Sequence, residues 1–143
     1  MSTSKPSGQV PSPDPASGWA GAMGLEFVEI SAERVVVEWT IDGRHHQPYG
    51  IVHGGVHSGV IETVCSMGAA MHAGPRGQTI VGVENHTSFL RAVREGRLRA
   101  TATPIHVGRR APLWEATIVD AQGKIVATGR VRLFSQDAQA PAV

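Results

Sequence analysis

Residues 52–73 are the most hydrophobic stretch of the chain and predict a single long helix. The apolar side chains recur every three or four positions, which is the period of an α-helix; they are Val56, Val60, Ile61, Val64, Met67, Ala70 and Met71. Nearly every side carries an apolar or small residue, so we expect the helix to be buried almost all round. Gly74 and Pro75 follow it, and a glycine cap with a proline beyond is a common helix end.

Strand patterns lie on both sides of this helix. They are rich in β-branched residues or alternate between polar and apolar residues, and they cover residues 26–30, 33–40, 79–90, 97–107, 113–119 and 124–134. A short helical turn is expected at 19–24, and residues 120–123 have the composition of a hairpin turn. One long helix against an antiparallel sheet belongs to the α+β class.

The chain has 143 residues, which is the length of one domain. Residues 1–18 are rich in serine and proline and are predicted to be a disordered arm. Residues 19–135 then form the single domain, and 136–143 form a flexible tail. No hydrophobic core of a secretion signal is visible, and no uncharged stretch is long enough for a membrane span. We therefore expect a cytoplasmic protein.

Composition excludes several functional classes. A net charge of +1 argues against a nucleic-acid binder that relies on bulk charge. The single cysteine, Cys65, excludes an internal disulfide and a zinc site of several thiolates, and is interpreted as a small core residue. His53 and His57 have a spacing seen in metal sites, but no third ligand is suitably spaced, so no metal is predicted. The serine-hydrolase, P-loop and Rossmann motifs are absent.

Glu62 is the residue that most needs an explanation. It lies halfway along the hydrophobic helix, where a charge costs several kcal/mol unless it is paired or solvated. One interpretation is structural, with Glu62 on a wet stripe of the helix or in a buried salt bridge. The other is catalytic, with the carboxylate acting as a general base or a nucleophile.

Gly54 and Gly55 lie at the start of the same helix, directly after His53. Free N–H groups at a helix N-terminus carry the positive end of the helix dipole and stabilise a developing oxyanion. Glu62 is eight residues beyond Gly54, about 12 Å along the axis, so one helix does not bring both to one carbonyl. If they cooperate, two copies of the helix meet in a dimer with shared sites. The alternative is that the glycines only allow a tight start of the helix.

Arginines are concentrated between residues 91 and 110. This stretch has six arginines and one glutamate, a local charge of +5; the arginines are Arg91, Arg94, Arg97, Arg99, Arg109 and Arg110. Guanidinium groups suit phosphates, and the turn at 108–110 is able to offer backbone N–H groups as well. The alternative is a solvated strand face.

These features together resemble the hotdog-fold acyl-CoA thioesterases. The motif is Gln-Pro-Tyr-Gly-Ile-Val-His-Gly-Gly at 47–55, followed by Glu62 and Ser66. Residues 81–84, residues 104–110 and Trp114 also look like this family, and the resemblance covers 19–134. The similar groups are the phenylacetate-pathway thioesterases and the 4-hydroxybenzoyl-CoA thioesterases, with the 1,4-dihydroxy-2-naphthoyl-CoA thioesterases nearest.

The resemblance implies a fold, an assembly and a mechanism. The hotdog fold is a long central helix wrapped by a five- to six-stranded antiparallel sheet. Family members form homodimers, often assembled into homotetramers, with active sites between protomers. By this resemblance Glu62 attacks the thioester carbonyl or activates water, and the Gly54 N–H of the partner polarises that carbonyl. No metal or redox cofactor is implied, because CoA is part of the substrate.

The resemblance also assigns roles around this pair. Gln47 and His53 line the catalytic site, and Ser66 orients the nucleophile or its water. Arg91, Arg109 and Arg110 are the phosphate partners. The full set assigned to the acyl-CoA substrate is Gly55, Gly82, Phe89, Leu90, Arg91, Ala92, His106, Val107, Gly108, Arg109, Arg110 and Ala111.

Three alternatives stay open at this point. A hotdog dehydratase or hydratase acting on acyl thioesters uses the same fold, since one fold hosts many functions. A non-catalytic acyl-CoA-binding module would keep the arginines without needing Glu62. A nucleic-acid role for the arginines is disfavoured because no aromatic residues are interleaved with them. The sequence does not identify the acyl group.

Overall fold

A computed structural model describes residues 14–138 of the chain. It contains two α-helices and six strands, with short 3₁₀ turns at Gly43–His45 and Gly74–Arg76. In chain order these elements are α1 (Gly18–Ala22), β1 (Glu26–Ile30), β2 (Val35–Thr40), α2 (Gly54–Ala73), β3 (Gln78–Phe89), β4 (Arg97–His106), β5 (Leu113–Val119) and β6 (Ile125–Asp137).

The six strands form one antiparallel sheet in the order β1-β2-β4-β5-β6-β3. Helix α2 packs against one face of this sheet. The predicted α+β hotdog architecture, with one long helix and an antiparallel sheet, is confirmed. Strand β3 leaves the end of α2 and joins the sheet at its far edge, where within residues 14–138 it pairs only with β6.

The core lies between α2 and the sheet. Trp39 and Trp114 are its largest fully buried side chains. The Trp114 ring lies so close to α2 that a Cβ at Gly68 would be 2.3 Å from it, so only glycine fits there. This close approach holds the helix against the sheet, and the first half of α2 also contacts the edge strand β3.

The prediction that α2 is buried all round is wrong for the single chain. The buried residues lie on the side facing the sheet: Val56, His57, Val60, Ile61, Val64, Cys65, Gly68, Ala69 and Ala73. On the opposite side Glu62 and Ser66 are half-buried and Ala70 is exposed. Glycine, alanine and serine give both sides a similar hydropathy, so periodicity does not separate them.

The ends of several elements differ from prediction. Gly74 follows α2 but keeps right-handed helical angles, and the chain makes a 3₁₀ turn before Gly77 adopts a φ of +68°. Strand β6 continues to Asp137, and β2 begins at Val35. Most of the predicted arm and tail, residues 1–13 and 139–143, lies outside the described residues. Within 14–138 no helix has the length and hydropathy that a membrane span requires.

Candidate active site

The Glu62 carboxylate projects from α2 towards the edge strand β3. It lies against Gly82, where a Cβ would be 2.2 Å from Glu62 Oε1. Any side chain at position 82 would therefore overlap the carboxylate. The structure thus gives Gly82, which the sequence assigns to substrate binding, a packing role beside Glu62.

Asn85, which no sequence pattern indicated, holds Glu62 in place. Its Nδ2 donates to Glu62 Oε2 at 3.1 Å and to the carbonyl oxygen of Ser58 at 3.0 Å. Thr87 Oγ1 donates to Asn85 Oδ1 at 2.7 Å, which orients the amide. The side chain therefore ties β3 to two positions on α2.

A β-bulge explains why the sequence did not reveal this contact. The register of β3 against β6 shifts between Gly82 and Glu84, so Gly82 faces Leu133 and Asn85 faces Val131. Both of these β6 partners belong to the core. Residues three apart on a regular strand point to opposite faces, whereas the extra residue of a bulge puts Gly82 and Asn85 on the same face.

Neutral donors alone surround the Glu62 carboxylate. Ser66 Oγ donates to Oε1 at 3.4 Å, and Asn85 serves Oε2. No salt bridge to Glu62 occurs within the described part of the chain, so the structural ion-pair interpretation has no support there. A half-buried carboxylate without a cation keeps its charge available for chemistry.

The N-terminus of α2 forms a second centre. His53 caps the helix, since its Nδ1 accepts a hydrogen bond from Gly55 N–H at 2.8 Å. The Gly54 N–H donates no hydrogen bond within residues 14–138. The Phe89 ring covers this glycine, and a Cβ at Gly54 would be 2.9 Å from it. The arrangement leaves one backbone donor free beside an aromatic wall.

A cavity of about 320 Å³ opens beside Gly54. It brings together several residues that the sequence assigned to the site, and its full lining is Gln47, Ile51, Val52, Gly54, His57, Phe89, Leu90, Arg91 and Ala92. Gln47 Oε1 accepts a hydrogen bond from Tyr49 N–H, which fixes the loop ahead of the helix. The lining does not include Glu62.

Within one chain the predicted site is therefore divided into two groups. Glu62 and Ser66 lie near Gly82 in the middle of β3, whereas Gly54 lies near Phe89 at the end of β3. Strand β3 runs antiparallel to α2, because its residue numbers rise as those of its helix contacts fall. The two groups are about 12 Å apart along the helix.

The loop between β4 and β5, residues 107–112, belongs to the Glu62 end. The carbonyl oxygens of Arg110 and Pro112 accept hydrogen bonds from Ser135 N–H at 2.7 Å and Leu133 N–H at 3.0 Å. Ser135 and Leu133 pair with residues 80 and 82 of β3. Only β6 therefore separates this loop from Gly82. Next to the loop, His106 Nε2 lies 2.7 Å from where a Cβ of Gly108 would be.

The arginine cluster divides by its partners. Arg97 and Arg99 form salt bridges with Glu38 on the sheet, as the strand-face interpretation expects. By contrast, Arg91, Arg109 and Arg110 are exposed and make no salt bridge within the described residues. Arg94 makes no salt bridge either, but its Nη1 donates to the carbonyl oxygen of Tyr49 at 2.8 Å. The three arginines assigned to phosphates are thus the ones whose side chains have no partner among the described residues.

Metal and thiol chemistry find no support in the described residues. No group of three or more His, Cys, Asp or Glu side chains occurs there with a geometry suited to a metal ion. Cys65 is buried in α2, and this burial, with smaller contributions from Glu62 and Glu115, raises the pKa of its thiol. A thiol held in the protonated form is a poor nucleophile.

Several known proteins are similar to this chain. The model of the thioesterase superfamily matches residues 49–137. Rv1847 of Mycobacterium tuberculosis is 37% identical over 119 residues, 82% of this chain and 85% of that protein. The proofreading thioesterase EntH of Cronobacter turicensis is 35% identical over 109 residues, 76% of this chain and 79% of that protein. The crystal structure of AziG from S. sahachiroi has a TM-score of 0.82 at 40% identity, covering 85% of this chain and 98% of AziG.

Proposed function

The chain belongs to the thioesterase superfamily and is a thioester hydrolase, and we propose that it cleaves acyl-CoA to free acid and CoA with Glu62 as the catalytic carboxylate. The observation that carries the proposal is the state of Glu62. It is half-buried in a hydrophobic helix and held by Asn85 and Ser66 without a cation. The alternative of a non-catalytic acyl-CoA-binding module is set aside, because the chain belongs to a family of enzymes, as the resemblance implied.

Two routes use this carboxylate. In one, Glu62 attacks the thioester carbonyl carbon, the C–S bond breaks, and water then hydrolyses the mixed anhydride. In the other, Glu62 takes a proton from water as the water attacks the same carbon, and the CoA thiolate leaves. Thiolate is a good leaving group, so neither route needs a strong general acid. A dehydratase is less well supported, because Glu62 has no histidine partner within the described residues.

Gly54 is proposed as the oxyanion donor. Its free N–H lies at the positive end of the α2 dipole, which suits the negative charge that develops on the carbonyl oxygen. The cavity beside it then receives the acyl group. Because Gly54 and Glu62 of one chain are too far apart for a single carbonyl, the donor comes from a second copy.

The edge strand β3 supports a dimer of this kind. Its free edge has unpaired backbone groups, and Val81 and Val83 are 42% and 63% exposed. If two β3 strands pair antiparallel about a two-fold axis between Asn85 and His86, Phe89 of one copy faces Gly82 of the other. Gly54 of one copy then lies beside Glu62 of its partner. Assembly into a tetramer stays a prediction.

The same dimer brings the three free arginines together. Arg109 and Arg110 lie at the Glu62 end of one copy, and Arg91 lies at the Gly54 end of the other. We propose that these side chains, with the loop backbone of residues 106–111, bind the phosphates of CoA.

A prediction for the arginines separates CoA binding from catalysis. Replacing both Arg109 and Arg110 with Ala should raise KM for an acyl-CoA by about tenfold or more, because each lost hydrogen bond to a charged phosphate weakens the binding free energy. The same variant should hydrolyse the acyl N-acetylcysteamine thioester, which has no phosphates, at the wild-type rate. Arg34→Ala is the matched control, because Arg34 pairs with Glu29 at the other edge of the sheet. Equal losses on both substrates would show that the loop is needed for folding only.

A prediction for Asn85 tests its positioning role. Asn85→Ala should lower kcat by about 10- to 100-fold with little change in KM, because a misplaced catalytic group costs rate more than binding. Thr87→Val, which removes only the hydrogen bond to the Asn85 amide, should have a smaller effect. Steady-state kinetics with one thioester decide this, and a wild-type kcat in Asn85→Ala would exclude the role.

The proposal as a whole is tested by measuring CoA release with a thiol reagent over a panel of thioesters. The panel contains 1,4-dihydroxy-2-naphthoyl-CoA, 4-hydroxybenzoyl-CoA, phenylacetyl-CoA, and short- and long-chain aliphatic acyl-CoAs. We expect hydrolysis of at least one ester by the wild type, and the preferred ester identifies the acyl class. Absence of release from every CoA ester, with hydrolysis of the matching N-acetylcysteamine thioesters, would exclude CoA as the carrier.

A further inference from the structure

The cavity beside Gly54 contains a polar side chain that the proposed mechanism does not use. His57 lies three residues after Gly54 on α2, in the wall of the cavity, and is only 3% exposed. Its ring centroid is 6.3 Å from that of Phe89, with the planes tilted by 37°. The imidazole and the phenyl ring therefore flank the space beside the free Gly54 N–H.

His57 is a buried polar group without a partner. Its Nδ1 is sealed from solvent and makes no hydrogen bond. Its Nε2 makes none either, since the histidine rings that form hydrogen bonds within residues 14–138 are those of His45, His46, His53 and His72. Buried polar atoms are nearly always hydrogen-bonded, because an unpaired one destabilises the folded state. A protein that keeps such a group in a cavity wall is expected to pair it with a ligand.

Burial of the His57 ring also determines its protonation state and therefore its hydrogen-bonding groups. Burial lowers the pKa of His57 to about 4, so the imidazole is neutral near pH 7 and has one donor and one acceptor nitrogen. An unpaired N–H is rarer in protein interiors than an unpaired acceptor. The proton is therefore expected on Nε2, with the sealed Nδ1 as a bare acceptor.

We propose that His57 is a specificity-determining residue whose Nε2–H donates a hydrogen bond to an oxygen substituent of the acyl group. The inference rests on the proposed function, in which the acyl group occupies this cavity. Gly54 and His57 are about 4.5 Å apart along the helix. The oxygen is thus a few atoms from the thioester carbonyl, as in a hydroxylated aromatic ring or a 3-hydroxyacyl chain, and acyl groups of plain hydrocarbon are disfavoured.

Matched ester pairs test this preference. The pairs are benzoyl-CoA with 3- and 4-hydroxybenzoyl-CoA, and hexanoyl-CoA with 3-hydroxyhexanoyl-CoA. For the wild type we expect kcat/KM to be about tenfold higher for a hydroxylated ester than for its parent, the effect of one hydrogen bond. In His57→Leu this ratio should fall to about one. In His57→Gln, whose amide N–H reaches a similar position, part of the preference should remain.

A second measurement applies even if His57→Leu does not fold. In the wild type labelled with ¹⁵N-histidine, the His57 ring should be the Nε2–H tautomer at pH 7, and its Nε2 signal should shift when 4-hydroxybenzoate binds but not with benzoate. A ring protonated on Nδ1, or signals that respond equally to both acids, would overturn the inference. The inference would also be overturned if His57→Leu left unchanged the ratio of kcat/KM between a hydroxylated ester and its parent. Failure of the wild type to cleave any CoA ester would overturn the proposed function, and this inference with it.

Discussion

Glu62→Gln should lower kcat for thioester hydrolysis by about 10³-fold or more while the thioester still binds. Glutamine keeps the shape of the side chain, and its carbonyl oxygen still accepts a hydrogen bond from Asn85 or Ser66. The amide has no charge with which to attack a carbonyl or to take a proton from water. Single-turnover measurements of CoA release, with enzyme in excess, separate this loss from a change in binding.

Glu84→Gln is the matched control for this substitution. Glu84 lies on the same strand, just beyond the bulge, but it is exposed and pairs in register with Arg132 rather than facing α2. The change of charge is the same, so we expect near wild-type turnover. If Glu62→Gln kept more than about one tenth of the wild-type kcat, Glu62 would not be the catalytic carboxylate.

Two variants that are each nearly inactive should recover activity when they form a mixed dimer. Glu62→Gln damages the carboxylate group of the site, and Gly54→Pro removes the proposed oxyanion donor. In a dimer with shared sites, a mixed pair has one site with both defects and one intact site. Isolated mixed dimers should therefore have about half of wild-type activity, and the random mixture of co-expressed chains about a quarter.

Gly54→Pro is suited to this experiment because proline is tolerated at the first position of a helix. Gly54 begins α2, and His53 before it has the extended angles that precede proline well, with ψ of 132°. Gly54→Ala adds the same Cβ near the Phe89 ring but keeps the N–H. The proline variant should therefore be about 10²- to 10³-fold slower than the alanine variant, the effect of one lost oxyanion donor.

The readout is the activity of mixed dimers isolated through two different affinity tags. A pairing of Glu62→Gln with Glu62→Ala is the control, since both variants damage the same half of the site and no intact site arises. Recovery in the first pairing alone would establish shared sites. No recovery in either pairing would mean that each chain forms its own site.

Much of the fold was predictable because its signals are local. The period of three to four in 52–73 predicted α2, and alternation predicted the strands within a few residues. The position of Glu62 in a hydrophobic helix was itself unusual enough to mark a candidate site, because an unpaired charge there is costly. The two glycines after His53, at the start of a predicted helix, likewise indicated a backbone N–H able to stabilise an oxyanion. The high local charge of residues 91–110 indicated the arginines, including the three that the structure leaves without partners.

The contacts of Glu62 depended on features that no local pattern reports. β3 crosses to the far edge of the sheet, so its alignment with α2 follows from the strand order. The bulge after Gly82 then reverses the alternation and turns Asn85 towards the carboxylate. The alternation of a regular strand would place Asn85 and Gly82 on opposite faces.

The residue sequence by itself thus determined the helix, the strands and the chemical groups with which the site is built. Only the tertiary structure decided that one helix side stays uncovered, that His57 is left unpaired in a cavity wall, and that Gly82 and Asn85 of β3 meet the Glu62 carboxylate. The physical reason is the distance along the chain over which each kind of interaction acts. Secondary structure follows from the spacing of neighbouring side chains, whereas a site is formed by the packing of residues far apart in the chain.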